Sequence, residues 1–113
     1  MNEGSWLTGF PAAVTICDRE GKILAMNDRA AATFAADGGR DLIGRNVLDC
    51  HPEKARQKLR QILRDAAVNC YTIEKNGVKK LIYQAPWYER GEYAGLVELV
   101  LELPGEMPHV VRS

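Results

Sequence analysis

The chain has 113 residues, which is enough for one compact domain and too few for two. Fifteen Lys and Arg balance fifteen Asp and Glu, so no long-range attraction to nucleic acid or to an acidic membrane follows. No apolar run reaches the roughly 18 residues of a membrane-spanning helix. The composition, 46% hydrophobic and 27% charged, is that of an ordinary globular protein.

Three cysteines, Cys17, Cys50 and Cys70, cannot all pair within one chain. Residues 1–10 lack the basic start and the apolar stretch of a secretory signal. We therefore expect reduced thiols and a cytoplasmic location. No CxxC or CxxH spacing indicates a structural zinc site.

The start of the chain predicts a short N-terminal segment followed by a β-hairpin. Residues 1–11 form the segment, in which Ser5 can cap one helical turn. Residues 12–18 and 22–26 are rich in strand-forming side chains, and the turn residues 18–21 lie between them.

Helices follow the hairpin. Asn27 is typical of an N-cap, so we expect a helix over 28–36 that ends at the glycines 38–39. Asp41 can cap a further turn with inward-pointing Leu42, Ile43 and Val47. Pro52 suits the first position of a longer helix over 52–67. The apolar face of this helix comprises Ala55, Leu59, Ile62, Leu63 and Ala66, and the other faces carry Lys54, Arg56, Lys58, Arg60 and Arg64.

Three more strands are expected, over 69–75, 78–89 and 93–103, with the hairpin turn Asn76-Gly77 between the first two. The last strand has one wholly apolar face, which we expect to face the helices: Val97, Leu99, Leu101 and Leu103. The mixed face carries Leu96, Glu98, Val100 and Glu102. An antiparallel five-stranded sheet with helices on one face, of α+β class, satisfies the pattern. Residues 104–113 are expected to be a flexible tail.

The element order resembles that of the PAS domain, a sensor and protein-interaction module, over residues 10–103, with the domain itself expected at residues 12–103. The resemblance is carried by five motifs in the right order: the hairpin from Phe10 to Ile23, Met26-Asn27-Asp28-Arg29-Ala30-Ala31-Ala32-Thr33-Phe34, Leu42-Ile43-Gly44-Arg45, His51-Pro52-Glu53, and Gly91-Glu92-Tyr93-Ala94-Gly95-Leu96. Cys50-His51-Pro52 with Gly91-Glu92-Tyr93 is further similar to bacterial PAS domains appended to hemerythrin-like domains, for which this chain has no room.

The resemblance implies a small, mostly apolar pocket between helices and sheet. Its expected lining is Phe34, Ile43, Val47, Leu59 and Leu63 from the helical side, and Ile16, Leu24, Tyr83, Ala85, Leu99 and Leu101 from the strands. The alternative is that these side chains simply fill a dense core without a ligand.

Two cofactors known in this family can be compared with the sequence. Light-sensing flavin members place a cysteine in Gly-x-Asn-Cys, whereas Gly44-Arg45-Asn46-Val47 has Val47 there, which argues against a covalent flavin. Heme-binding members usually take a histidine from the long helix, and residues 53–67 contain none. Heme held by Cys50 or His51 is conceivable but not favoured.

The family resemblance favours a signalling module that acts through a homodimer or a protein partner. Trp6 and Phe10 in the N-terminal segment and Leu96 and Val100 on the outer sheet face are the expected interface. The alternatives are a thiol-based redox protein using Cys50 with His51, and a nucleic-acid adaptor using the basic helix face, which the neutral balance disfavours. No Ser/His/Asp set, paired acids or phosphate loop indicates an enzyme.

Overall fold

The computed structural model describes residues 4–113. Its helices are α1 (Ser5–Thr8), α2 (Asp28–Thr33) and α3 (Glu53–Asp65), with short 3-10 turns at Ala35–Asp37, Gly39–Leu42 and Val47–Cys50. Its strands are β1 (Ala13–Asp18), β2 (Ile23–Met26), β3 (Asn69–Lys75), β4 (Val78–Glu89) and β5 (Glu92–Glu102). No helix in residues 4–113 is long and apolar enough to cross a membrane.

The five strands form one sheet in the order β2-β1-β5-β4-β3, and every neighbouring pair is antiparallel. The predicted sheet and the α+β class are therefore confirmed. Residues 104–113 have no regular secondary structure, and their flexibility stays a prediction.

Local sequence chemistry explains most boundaries. The Asn27 side chain accepts a hydrogen bond from the Ala30 N–H and caps α2, as predicted. Asn76 and Gly77 adopt positive φ angles of 53° and 78°, which the tight β3–β4 turn requires. Two predicted helix starts are displaced by one position. The N-cap of α1 is Gly4 and not Ser5, and Pro52 is the N-cap of α3 and not its first helical residue.

The interior consists of two buried clusters. The first joins β1, β2 and α2 and contains Ala13, Ile23, Met26, Ala30 and Leu42. The second joins α3 to the sheet and contains Cys17, Leu59, Ile62, Leu63 and Leu96. Val47 packs against both clusters, so the loop before α3 connects two half-cores that are otherwise separate.

The prediction of which β5 face is buried is wrong. Leu96 is 4% exposed in the second cluster, and Val100 packs against the first. Successive strand residues point to opposite faces, so the wholly apolar set is on the face away from the helices: Val97, Leu99, Leu101 and Leu103. The mixed face, which carries Glu98, covers the interior because it holds the residues that pack on α2 and α3.

Candidate functional site

A cavity of about 350 Å³ lies between the sheet and the helical layer. Its sheet side is formed by Thr15, Cys17, Gln84, Leu96 and Glu98. Its other walls come from β2, α2, the short helical turns, the loop to α3, and α3 itself: Ile23, Met26, Phe34, Asp37, Leu42, Arg45, Val47, Asp49, Cys50, His51 and Leu59. A smaller cleft of about 150 Å³ shares Gln84, His51 and Leu59 with it.

A row of four polar side chains crosses the inner face of the sheet between the two half-cores. Thr15 on β1 pairs with Glu98 on β5, Glu98 pairs with Gln84 on β4, and Gln84 pairs with Asn69 on β3. Neighbouring strands lie about 4.8 Å apart, so side chains in one row are within reach of one another. We call these four residues the polar row.

The hydrogen bonds of the polar row run in one direction. Gln84 Nε2 donates to Glu98 Oε2 at 2.7 Å, and Asn69 Nδ2 donates to Gln84 Oε1 at 2.9 Å. A carboxylate only accepts, so Glu98 fixes the orientation of the Gln84 amide, and that amide fixes the orientation of Asn69. Gln84 is 8% exposed, and both ends of its amide are paired, as a buried polar group requires.

Burial and neighbouring carboxylates hold the proton on two acidic groups of this region. Burial raises the pKa of the Cys17 thiol, and the charges of Asp18 and Glu98 raise it further, against a lowering by the Leu96 backbone. Burial and then the Glu98 charge also raise the pKa of Tyr71. Cys17 is therefore a protonated packing residue rather than a reactive thiolate.

The structure brings together only part of the predicted pocket. Phe34, Val47 and Leu59 line the cavity, and Leu63 lies in the adjacent cluster. Two residues expected to point inward are exposed, Leu24 by 44% and Ile43 by 41%. The remaining strand residues lie on the opposite sheet face, for the alternation reason given above: Ile16, Tyr83, Ala85, Leu99 and Leu101.

The predicted interface residues are also divided. Trp6 is 59% exposed and Phe10 is 39% exposed, so both side chains are accessible, as expected. Their rings meet edge to face, with the ring centroids 6.1 Å apart. Leu96 and Val100 face the interior, and the expectation that they lie on the outer face is wrong. Their β5 neighbours Val97, Leu99 and Leu101 are the outward residues.

Cys50 and His51 both lie at the cavity. Each side chain hydrogen-bonds back to the preceding turn: Cys50 Sγ donates to the Asn46 carbonyl at 3.7 Å, and His51 Nδ1 bonds to the Val47 carbonyl at 2.7 Å. A carbonyl oxygen only accepts, so Nδ1 carries the proton and Nε2 is the acceptor. Within residues 4–113, no hydrogen bond joins the thiol to the imidazole.

Sequence reasoning missed the polar row. Its available signal was Glu98, a charged residue near the centre of β5, together with Gln84 in an otherwise apolar stretch. The predicted basic helix face is solvent-facing and partly neutralised, since Glu53 lies 3.5 Å from Arg56 and 3.6 Å from Arg60. Residues 4–113 contain no group of His, Cys, Asp or Glu arranged to hold a metal ion.

Comparison with known proteins agrees with this architecture. Among solved structures, a chain of the Vibrio cholerae Aer2 receptor, described as a dual PAS-heme oxygen sensor, has a TM-score of 0.60 at 19% identity and covers 82% of this chain and 95% of its own. A sensory box sensor histidine kinase from the same organism has a TM-score of 0.61 at 16% identity, with 89% of each chain covered. The Vibrio cholerae VqmA dimer, a LuxR-type receptor, has a TM-score of 0.62 at 16% identity and covers 88% of this chain and 49% of its own.

At these identities the likeness concerns the fold. None of the curated proteins compared with the chain matches it. The model of one protein family, described as the PAS fold, matches residues 7–103. Since this match spans the whole sheet and its helical layer, the chain belongs to the PAS fold family.

Proposed function

We propose that this chain is a non-catalytic sensory module that binds a small molecule in the cavity and signals through the outer face of its sheet. The observation that carries the proposal is the cavity of about 350 Å³ that separates the two half-cores, with the polar row along its sheet side. Its volume falls within the range of ligand pockets. The sensors among the structurally similar proteins support the same reading.

The output surface in this proposal is the apolar outer face of the sheet. Val97, Leu99 and Leu101 alternate along β5 with Leu96 and Glu98, which line the cavity. A ligand that binds one position of Glu98 better than another shifts the populations of β5 conformations. The outer residues of the same strand then present the changed conformation to a partner protein.

A second copy of this chain is the partner that we propose. The outer residues Val97, Leu99 and Leu101 are half-buried, and an apolar face that stays partly accessible gains from a partner that covers it. The structurally similar VqmA is described as a dimer. Trp6 and Phe10 extend the accessible apolar surface. We also propose a cytoplasmic location, in keeping with the three free cysteines. We further propose that the chain is a PAS domain of the type appended to hemerythrin-like domains.

In this proposal the ligand is neither heme nor a covalently bound flavin. His51 has the tautomer that could bind an iron through Nε2, because its Nδ1 donates to the Val47 carbonyl. However, residues 53–67 contain no histidine, and Val47 stands where light-sensing flavin members of the family have their cysteine. The ligand of this proposal is therefore a small molecule without a macrocycle.

Native mass spectrometry and absorption spectroscopy of the freshly purified protein test ligand binding. An added mass of a small molecule that is lost on denaturation supports the proposal. A Soret or flavin band contradicts the choice of a ligand other than heme or flavin. A protein that is free of added mass and whose melting temperature no member of a small-molecule library raises contradicts ligand sensing.

The replacement Leu99→Arg tests the output surface. It places a charge on the outer face, and we expect the sedimentation coefficient to fall from that of a dimer to that of a monomer. Gln61→Arg adds the same charge on the exposed side of α3 and should leave the dimer intact. A wild-type protein that is monomeric at high micromolar concentration would contradict the dimer.

A further inference from the structure

We propose that the cavity selects a ligand with a positively charged nitrogen on a small apolar body, and that Glu98 binds this nitrogen. The inference rests on the ligand-binding function proposed above and adds the chemical class of the ligand. It is argued from the hydrogen bonds of the polar row, the charges around the cavity, and the nature of its walls.

Glu98 keeps acceptor capacity that the protein does not use. Within residues 4–113 its one hydrogen-bond donor is Gln84, which bonds to Oε2, whereas a carboxylate offers about four acceptor sites on its two oxygens. The Gln84 amide cannot turn to serve another acceptor, since its oxygen is held by Asn69. Glu98 is thus fixed beside the cavity with Oε1 open to a donor from a ligand.

The charges around the cavity favour the same sign. Its lining carries three carboxylates, Asp37, Asp49 and Glu98, and one guanidinium, Arg45. Asp37, Asp49 and Arg45 are exposed, whereas Glu98 is half-buried. The innermost charge is therefore negative, and it acts where the effective dielectric constant is lowest.

The apolar walls of the cavity favour a ligand with an apolar body. Phe34, Leu59 and Leu96 line the cavity and gain from contact with hydrocarbon. A purely apolar or anionic molecule would displace water from Glu98 and leave its free oxygen unpaired, which is costly for a charged group. A cationic amine or amidine replaces that water with a charge-assisted hydrogen bond, so it should bind about 10- to 150-fold more tightly than a neutral molecule of the same shape.

Three phenyl compounds of similar size test the inference: 2-phenylethylamine, a cation at pH 7; acetophenone, a neutral acceptor; and phenylacetate, an anion. Their dissociation constants are measured by titration with ligand-observed NMR, on the wild type, on Glu98→Gln and on Glu102→Gln. Glu102 lies on the same strand and face but is exposed and outside the cavity lining, so its variant controls for the loss of one charge.

We expect the amine to bind the wild type and Glu102→Gln at least tenfold more tightly than acetophenone, and this preference to disappear in Glu98→Gln. Equal binding of the three compounds, a preference for phenylacetate, or a preference that survives in Glu98→Gln would overturn the inference and leave ligand sensing intact. If none of the three binds, the inference falls, and native mass spectrometry decides separately whether the proposed function falls with it.

Discussion

The buried amide of Asn27 joins the sheet to the helical layer, and its removal measures how strongly the two are held together. Asn27 is 3% exposed. Its Oδ1 accepts from the N–H groups of Val14 at 2.9 Å and Ala30 at 3.0 Å. Its Nδ2 donates to the carbonyls of Ala12 at 2.7 Å and Phe10 at 3.3 Å. One side chain thus satisfies β1 and caps α2 together.

The expected cost of Asn27→Ala follows from these bonds. Loss of an N-cap costs about 1 kcal/mol, and each buried backbone group left without a partner costs about 1–3 kcal/mol. The variant loses the cap and leaves the Val14 N–H and the Ala12 carbonyl unpaired. We therefore expect the free energy of unfolding to fall by about 3–7 kcal/mol, from a total that is about 5–15 kcal/mol for a domain of this kind.

Urea unfolding followed by circular dichroism measures this loss. With a slope of about 1.5 kcal/mol per molar urea, the midpoint should fall by about 2–5 M. Asn46→Ala is the matched control: Asn46 also caps a turn, accepting from Leu48 N–H at 2.9 Å and donating to the Glu20 carbonyl at 2.8 Å, but in a more exposed place. We expect it to lose about 1 kcal/mol, and equal losses in the two variants would refute the argument from burial.

Two further predictions concern Gly95 on β5 and Cys17 on β1. Gly95→Ala should lose about 3 kcal/mol or more in the same assay, because its Cβ would lie 1.9 Å from the Cys17 carbonyl oxygen; Gly105→Ala, in open space, should change stability by less than about 0.5 kcal/mol. The raised pKa of Cys17 means that the folded state binds the thiol proton more tightly than the unfolded state does, so stability should fall as pH rises above the ordinary thiol value of 9.0. Cys17→Ala should remove that decline between about pH 9 and pH 10, below the range in which the tyrosines contribute, and an unchanged pH profile would contradict it.

Local chemistry made the order of elements predictable. Asn27, the turn at Asn76-Gly77 and the stripe of Leu59, Ile62 and Leu63 each depend on neighbours within a few residues, and each behaves in the structure as the sequence indicates. The predicted helix ends were less accurate. α2 ends at Thr33, where the chain continues as a 3-10 turn that no local sequence signal distinguishes from a longer helix.

The sequence of β5 alone could not predict which of its faces is buried. Successive side chains of a strand point to its two faces in turn, and the more apolar face is normally predicted to be buried. Here the mixed face is buried, because Glu98 has a partner, Gln84, supplied by β4. That compensation depends on the pairing of two strands and on an amide that is hydrogen-bonded at both ends, so it appears only once the register is known.

The polar row also accounts for the presence of a cavity in so small a domain. Interiors of this size normally pack to nearly the density of organic crystals, and apolar helices gain little by covering a row of hydrogen-bonded carboxylate and amide groups. The helical layer instead packs on either side of the row, where Ala30 and Leu42 belong to one half-core and Leu59 and Leu63 to the other. The space between them is the cavity that Glu98 and Gln84 line. The residues that prevent a continuous core are thus the residues best suited to bind a polar group, and a ligand whose apolar body contacts Leu59 and whose cationic nitrogen contacts Glu98 would satisfy both parts of the interior at once.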